Sequence, residues 1–187
     1  MAILPIRIWG DPVLHAPASA VDEITDEVRT LVRDMFETMD AAPGVGLAAP
    51  QVGVALRIYT YTYGDEAEPW RGVIINPELW MVPTEPGDPD EETESEGCLS
   101  FPGERFPLRR SDQVVVTGID LEGAPVRIEA TGWRARIMQH EFDHLNGVIY
   151  VDRISDGDWK TAQKISKKRG WGRPGVSWTP GVDDLDA

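Results

Sequence analysis

The chain predicts a single α+β domain, and three observations carry the prediction. Strand-like stretches and helical segments both occur along the chain. Helical spacing occurs in three separate segments, one before those stretches and two after them. Neither an internal repeat nor a second composition regime divides the 187 residues, a length that suits one domain with a real core. The domain is read as 1–187, with about 170–187 as a Pro/Gly-rich tail.

Each element has a local reason. After an extended, proline-punctuated lead-in, Thr25 is placed to cap a helix running to about Asp40. Val28, Leu31, Val32, Met35 and Met39 recur at helical spacing, and Asp26 and Glu27 suit the positive end of the helix dipole. "AAPGVGLAAPQVG" (41–53) is too rich in Gly, Ala and Pro for a regular element and reads as a shaped loop. "VALRIYTYTY" (54–63) alternates and is β-branched and aromatic, so it reads as a strand. "GVIINP" is a short second strand stopped by Pro77. Residues 83–96 are acidic and Pro-rich and read as a solvated, mobile loop. "QVVVTGIDLEGAPVRIEA" reads as a hairpin turning near Glu122-Gly123. A helix from about Thr131 to Asn146 ends at Gly147, and another covers Gly157 to Lys168.

Composition removes several classes of function. Hydrophobic content of 41% and charged content of 27% are those of a soluble globular protein. A net charge of −14 and a pI near 4.5 argue against a nucleic-acid surface spread over the molecule, so no DNA partner is expected. The apolar start is interrupted by Arg7 and Asp11 and lacks the n-region, h-region and cleavage site of a signal peptide. No stretch approaches the roughly 20 apolar residues of a membrane span, so no membrane partner is expected. Cys98 is the only cysteine, which rules out an internal disulfide. The reading is a cytoplasmic monomer.

Chemistry concentrates in "QHEFDHLNG" (139–147). Four residues apart on a helix, His140 and His144 share a face and can reach one divalent ion. Glu141 stands one position on, near enough to take a proton from a water activated there. Two of the chain's three histidines fall in this HExxH pattern, which weighs against two satisfied core residues. Asp143 either orients a ligand imidazole or makes an ordinary helix-position contact. His15, in "GDPVLHAP", has no partner pattern and reads as a surface residue.

A hydrolytic metal site usually takes three protein ligands. Downstream of His144 the sequence holds neither His nor Glu. Upstream, Cys98 in "SEGCLSFPG" lies in a segment that reads as tight and exposed. A thiolate with two imidazoles makes a reasonable tetrahedral site with one open position, so Cys98 is the leading candidate for the third ligand.

With these residues in view, the chain resembles a known family. "GVGLAAPQ" (44–51), "EGCLS" (96–100) and "QHEFDH" (139–144) match, in order and approximate spacing, the three signature motifs of peptide deformylases. The resemblance covers about Ile6 to Arg169. It implies antiparallel β-sheets packed around a central HExxH helix, with N-terminal and C-terminal helices. It implies a metal-dependent hydrolase that removes the formyl group from the N-terminal formylmethionine of new polypeptides and releases formate. Carried over motif by motif, Cys98, His140 and His144 are the metal ligands and Glu141 the general base. Gln51 and the backbone N–H of Leu99 are the oxyanion donors. Val45, Gly46, Gly97 and Arg105 are substrate-binding positions, Val45 and Gly46 through their backbone. Trp133 and Ile137, seven and three residues before His140, share its helix face and suit a methionine pocket. Trp133 is bulkier than the aliphatic residue many members carry there. The implied cofactor is one divalent ion, Fe²⁺ in the cell, with Zn²⁺, Ni²⁺ or Co²⁺ able to replace it. Lys160, Lys164, Lys167, Lys168 and Arg169 make the last helix basic, and some members dock that helix on the ribosome. Two other readings remain weaker. A peptidase cutting internal bonds lacks its downstream ligand, and a metal-binding homologue without turnover would be expected to have lost one of these groups.

Overall fold

A computed structural model describes residues 2–64 and 70–183. In chain order they form β1 (Ile6–Arg7), α1 (Asp26–Ala41), β2 (Gly46–Ala48), β3 (Ile58–Tyr63), β4 (Trp70–Met81), β5 (Ser95–Cys98) and β6 (Phe101–Pro107). There follow β7 (Gln113–Ile119), β8 (Pro125–Thr131), α2 (Gly132–Leu145), α3 (Asp156–Arg169) and β9 (Ser177–Trp178). Strands β2-β3-β4-β7-β8 make one antiparallel sheet, and β1-β9 and β5-β6 make two small ones.

The alternation of "IYTYTY" explains the layering. Successive side chains of a strand point to opposite faces. Tyr59 and Tyr61 pack with Ile74 and Val116 against Ala135, Ile137, Met138 and Leu145 of α2. Ile58, with Leu47 and Ile75, packs instead against Val32, Met35 and Met39 of α1. The sheet is therefore covered by a helix on each face, and Ile58 to Tyr61 are all buried. Thr25 caps α1, its side-chain oxygen accepting from Val28 N–H at 3.4 Å. The opposite side of α2 faces β5, so α2 is the central helix that the sequence implied.

Four expectations are corrected. Part of the 41–53 loop is strand: β2 pairs with β3 across Leu47↔Thr60, because small residues let backbone reach backbone there. Pro77 does not stop its strand. The register shifts between Ile75 and Glu78, and Asn76 adopts φ 52°. Proline is tolerated at such a bulge, where no ladder N–H is required of it. Asn76 is fixed there by Val21, whose N–H donates to Oδ1 at 2.8 Å and whose carbonyl accepts from Nδ2 at 2.9 Å. The acidic 83–96 segment is exposed over most of its length, but its last two residues enter β5 and Glu96 is 3% exposed. The tail is not detached either: Ile6 pairs with Trp178 across β1 and β9, and residues 184–187 lie outside the description. No described helix is long and apolar enough to cross a membrane.

Candidate metal centre

The α2 helix projects His140 and His144 toward the end of β5. At that end the β5–β6 register shifts between Gly97 and Cys98, and the irregularity turns the thiol toward α2. Cys98 Sγ stands 3.3 Å from His144 Nε2, and the ligand atoms of Cys98, His140 and His144 all lie within 4.8 Å of one another. With ion–sulfur about 2.3 Å and ion–nitrogen about 2.0 Å, tetrahedral corners stand about 3.5 Å apart. One thiolate and two imidazoles at this spacing fit a divalent metal ion.

The tautomers fit too. His140 Nδ1 donates to Glu96 Oε2 at 2.9 Å. A carboxylate only accepts, so Nδ1 carries a proton and Nε2 is the nitrogen that can ligate once an ion takes the place of the proton there. Burial, with the neighbouring His140 and Arg110 charges adding to it, holds His144 well below the usual imidazole range, which favours the neutral ring a metal requires. No carboxylate orients His144, whose Nδ1 is buried and unpaired among the described residues. Packing and the 3.3 Å contact of Nε2 with Cys98 Sγ hold that ring.

Glu96 is the functional residue that sequence reasoning missed, filed with an acidic loop. Its Oε1 accepts from Arg110 Nε at 2.8 Å and from Arg136 Nη1 at 2.7 Å, and its Oε2 accepts from Arg110 Nη2 at 3.0 Å. Burial alone would raise this carboxyl, but the His140 hydrogen bond and the Arg110 guanidinium outweigh it and hold Glu96 far below the usual range. Arg110 continues to Asp143 Oδ2 at 2.5 Å, and Asp143 Oδ1 accepts from Arg153 at 2.7 Å. Asp143 therefore pairs with arginines and makes no hydrogen bond to an imidazole among the described residues; the orienting carboxylate is Glu96. The signal available in the sequence was its place inside "EGCLS". His15 is exposed, as expected, and accepts from Gly10 N–H at 3.1 Å.

Gln51 is aimed by its own backbone neighbourhood. Ala48 N–H donates to Gln51 Oε1 at 2.8 Å, which turns Nε2 toward Cys98 Sγ at 3.6 Å and Ser100 Oγ at 3.3 Å. Glu141 is buried, and its Oε2 has no protein partner among the described residues. An orphaned buried carboxylate oxygen is rare and marks a place for an unbound ligand or water. In the ion-free site, burial pushes Glu141 up to about 7, with Glu96 adding and the His140 and Arg110 charges opposing.

Gly46 makes room for that carboxyl. A Cβ there would stand 2.1 Å from Glu141 Oε1 and 2.5 Å from its Cδ. Gly46→Ala is therefore expected to displace Glu141 and lower hydrolytic turnover by about 10²-fold or more, within the range for a misplaced proton carrier. Metal content, measured by elemental analysis, should be unchanged. A fully active Gly46→Ala protein would show that the Glu141 carboxyl is not held where the structure has it.

A cavity of about 510 Å³ opens over these groups. It is lined by all the sequence-derived positions except His144, which lies buried behind them: Val45, Gly46 and Gln51 on one side, Gly97, Cys98, Leu99 and Arg105 on another, and Trp133, Ile137, His140 and Glu141 from α2. Ile137 is buried, whereas Trp133 is 39% exposed at the rim. Arg105 is tied to the Ser95 carbonyl at 2.5 Å. Strand β2 is an edge strand of its sheet, so the outer side of Gly46 can meet an extended chain in the cavity, while the Ala48 N–H is taken by Gln51.

This arrangement coincides with known proteins. Residues 3–159 match the Polypeptide deformylase family. The chain is 47% identical over 191 residues to the peptide deformylase of Mycobacterium sp. (strain JLS), covering 98% of this chain and 97% of that one. It is 48% identical over 187 residues to that of Rhodococcus opacus (strain B4), covering 97% and 95%. The crystal structure of a peptide deformylase from Legionella pneumophila superposes with TM-score 0.78 at 38% identity, covering 90% of this chain and 96% of that one. That of Ehrlichia chaffeensis in complex with actinonin superposes with TM-score 0.78 at 37% identity, covering 90% and 98%. Sequence, fold and the meeting of Cys98 with the HExxH helix agree: the chain belongs to the peptide deformylase family.

Proposed function

We propose that the chain, as one unit spanning 1–187, is a metal-dependent hydrolase that removes the N-formyl group from the N-terminal formylmethionine of newly made polypeptides and releases formate. The observation that carries this reading is the meeting, in one cavity, of the Cys98–His140–His144 donor set with a buried, half-unpaired Glu141 carboxyl. When bound, a divalent ion supplies Lewis acidity there, lowering the pKa of water at the site toward neutrality. Thiolate with imidazole suits Fe²⁺, Zn²⁺, Ni²⁺ or Co²⁺, and Fe²⁺ is proposed as the ion used in the cell.

Gly46, on the edge strand β2, Val45 just before it, and Gly97, on β5, meet the substrate backbone as an added strand. Recognition by backbone makes the site tolerant of sequence beyond the first residue. Ile137 and the Trp133 ring give the methionine side chain an apolar wall, and Arg105 stands near the mouth. Glu141 takes a proton from the attacking water as its oxygen bonds to the formyl carbon. Gln51 Nε2–H and Leu99 N–H donate to the carbonyl oxygen as it gains charge. The C–N bond then breaks, the peptide amine takes the proton from Glu141, and formate leaves. The test is formate release from a formylmethionyl tripeptide under anaerobic, metal-replete conditions. No release there would overturn the reading.

The proposed setting is the cytoplasm, as a monomer acting on nascent chains. Lys160, Lys164, Lys167 and Lys168 are exposed on α3, a concentration of positive charge on an acidic protein, and we assign them to weak, salt-sensitive docking on the ribosome. Charge reversal at Lys164, Lys167 and Lys168 should abolish cosedimentation with ribosomes at low salt. Unchanged cosedimentation would remove α3 from that role.

A further inference from the structure

Trp178 lies 80 residues after Cys98 in the numbering, yet its ring lines the site cavity beside Leu99. Its indole Nε1–H donates to the Leu99 carbonyl oxygen at 2.8 Å. The other end of that peptide plane is the Ser100 N–H, which donates to Cys98 Sγ at 3.4 Å. A peptide unit is rigid and planar, so a bond that fixes its carbonyl also aims its N–H. Hydrogen bonds in series also polarise one another, and this series ends on sulfur.

The segment bearing Trp178 is itself fastened from several sides. Ile6 pairs with Trp178, Gly172 N–H donates to the Trp9 carbonyl at 3.0 Å, and Gly175 N–H donates to Asp11 Oδ2 at 3.1 Å. Trp9 N–H in turn donates to the Ser100 carbonyl at 2.8 Å. The returning C-terminal strand and the N-terminal strand thus grip the backbone that follows Cys98.

We infer that Trp178 is a positioning residue of the metal centre, holding the Leu99–Ser100 peptide so that its N–H is aimed at the Cys98 sulfur. The inference rests on Cys98 being a ligand in the proposed site. The consequence is physical: an N–H on the thiolate withdraws electron density and fixes the direction of the sulfur lone pairs. Outer partners of this kind typically change metal affinity by about 10–100-fold.

Co²⁺ substitution tests it, because a cobalt–thiolate bond gives a sulfur-to-metal charge-transfer band. The unaltered chain should show that band; its absence would count against Cys98 as a ligand and so against the inference with it. Trp178→Phe keeps an apolar ring but removes the donor. Its band should move to lower energy, since a sulfur relieved of an N–H donor gives up charge more easily. It should also lose Co²⁺ to a chelator on the order of tenfold faster. Val176→Ala loosens the packing of the segment just before β9 while keeping the indole, and should leave the band in place. An unmoved band in Trp178→Phe, or an equal shift in Val176→Ala, would overturn the clamp while leaving the ligand assignment standing. A check without substitution guards against a variant that fails to fold. The Trp178 indole N–H resonance of the unaltered chain should shift on Zn²⁺ loading, and a resonance indifferent to Zn²⁺ would overturn the clamp.

Discussion

Glu141→Ala should lower formate release from a formylmethionyl tripeptide by about 10²–10⁴-fold, the range for removing a positioned proton carrier. The loss should fall on kcat, with KM nearly unchanged, because the carboxyl acts on protons that move only in the transition state. Bound metal should stay at the level of the unaltered protein, since Glu141 is not one of the three clustered donors. Thermal stability should hold or rise. The carboxyl is buried with one oxygen unpaired, so its removal relieves a desolvation cost that the fold carries for function. A variant retaining more than about a tenth of the rate would move the base elsewhere. A variant that lost metal together with activity would recast Glu141 as a structural or ligating group.

The second large effect concerns the lone cysteine. Cys98→Ala should lose the ion while the fold persists. Two imidazoles from one helix leave half of a tetrahedral site unfilled, and the affinity lost should exceed the 10–100-fold typical of losing an outer partner. Formate release should fall below detection at stoichiometric metal. The fold should survive because the three hydrophobic clusters that join the sheet, α1, α2 and the β5–β6 hairpin hold many other buried side chains. Elemental analysis and circular dichroism separate the outcomes. Full metal occupancy in folded Cys98→Ala would take Cys98 out of the site.

Much of this site was legible in the chain because its chemistry is written at helical spacing. His140, Glu141 and His144 sit on α2, where 3.6 residues per turn sets their mutual geometry whatever the rest of the molecule does. The same period brings Trp133 and Ile137 to the cavity wall, and it marked α1 and α3 to within a residue or two. Local rules also placed the turn of the β7–β8 hairpin and the end of α2 at Gly147, whose φ of 73° suits glycine. The three short motifs indicated the family.

Other features depended on distant segments meeting, and no local pattern announces such meetings. Glu96 reads as one more acid in "EETESE", yet two arginines and His140 from outside the loop make it a buried, ionised anchor. Pro77 reads as a strand stop, yet a bulge held by Val21 carries β4 past it. The terminal Gly/Pro stretch reads as a tail, yet β1 pairs with it and Trp178 reaches the Leu99 carbonyl. By itself the sequence determined which groups could do the chemistry and how those on a single helix are spaced, since backbone period fixes short-range geometry. Only the tertiary structure decided which charges are buried, which imidazole nitrogen stays free for a metal, and what holds the cysteine loop. Those depend on desolvation and on hydrogen bonds across tens of residues, which exist only once the chain has closed on itself.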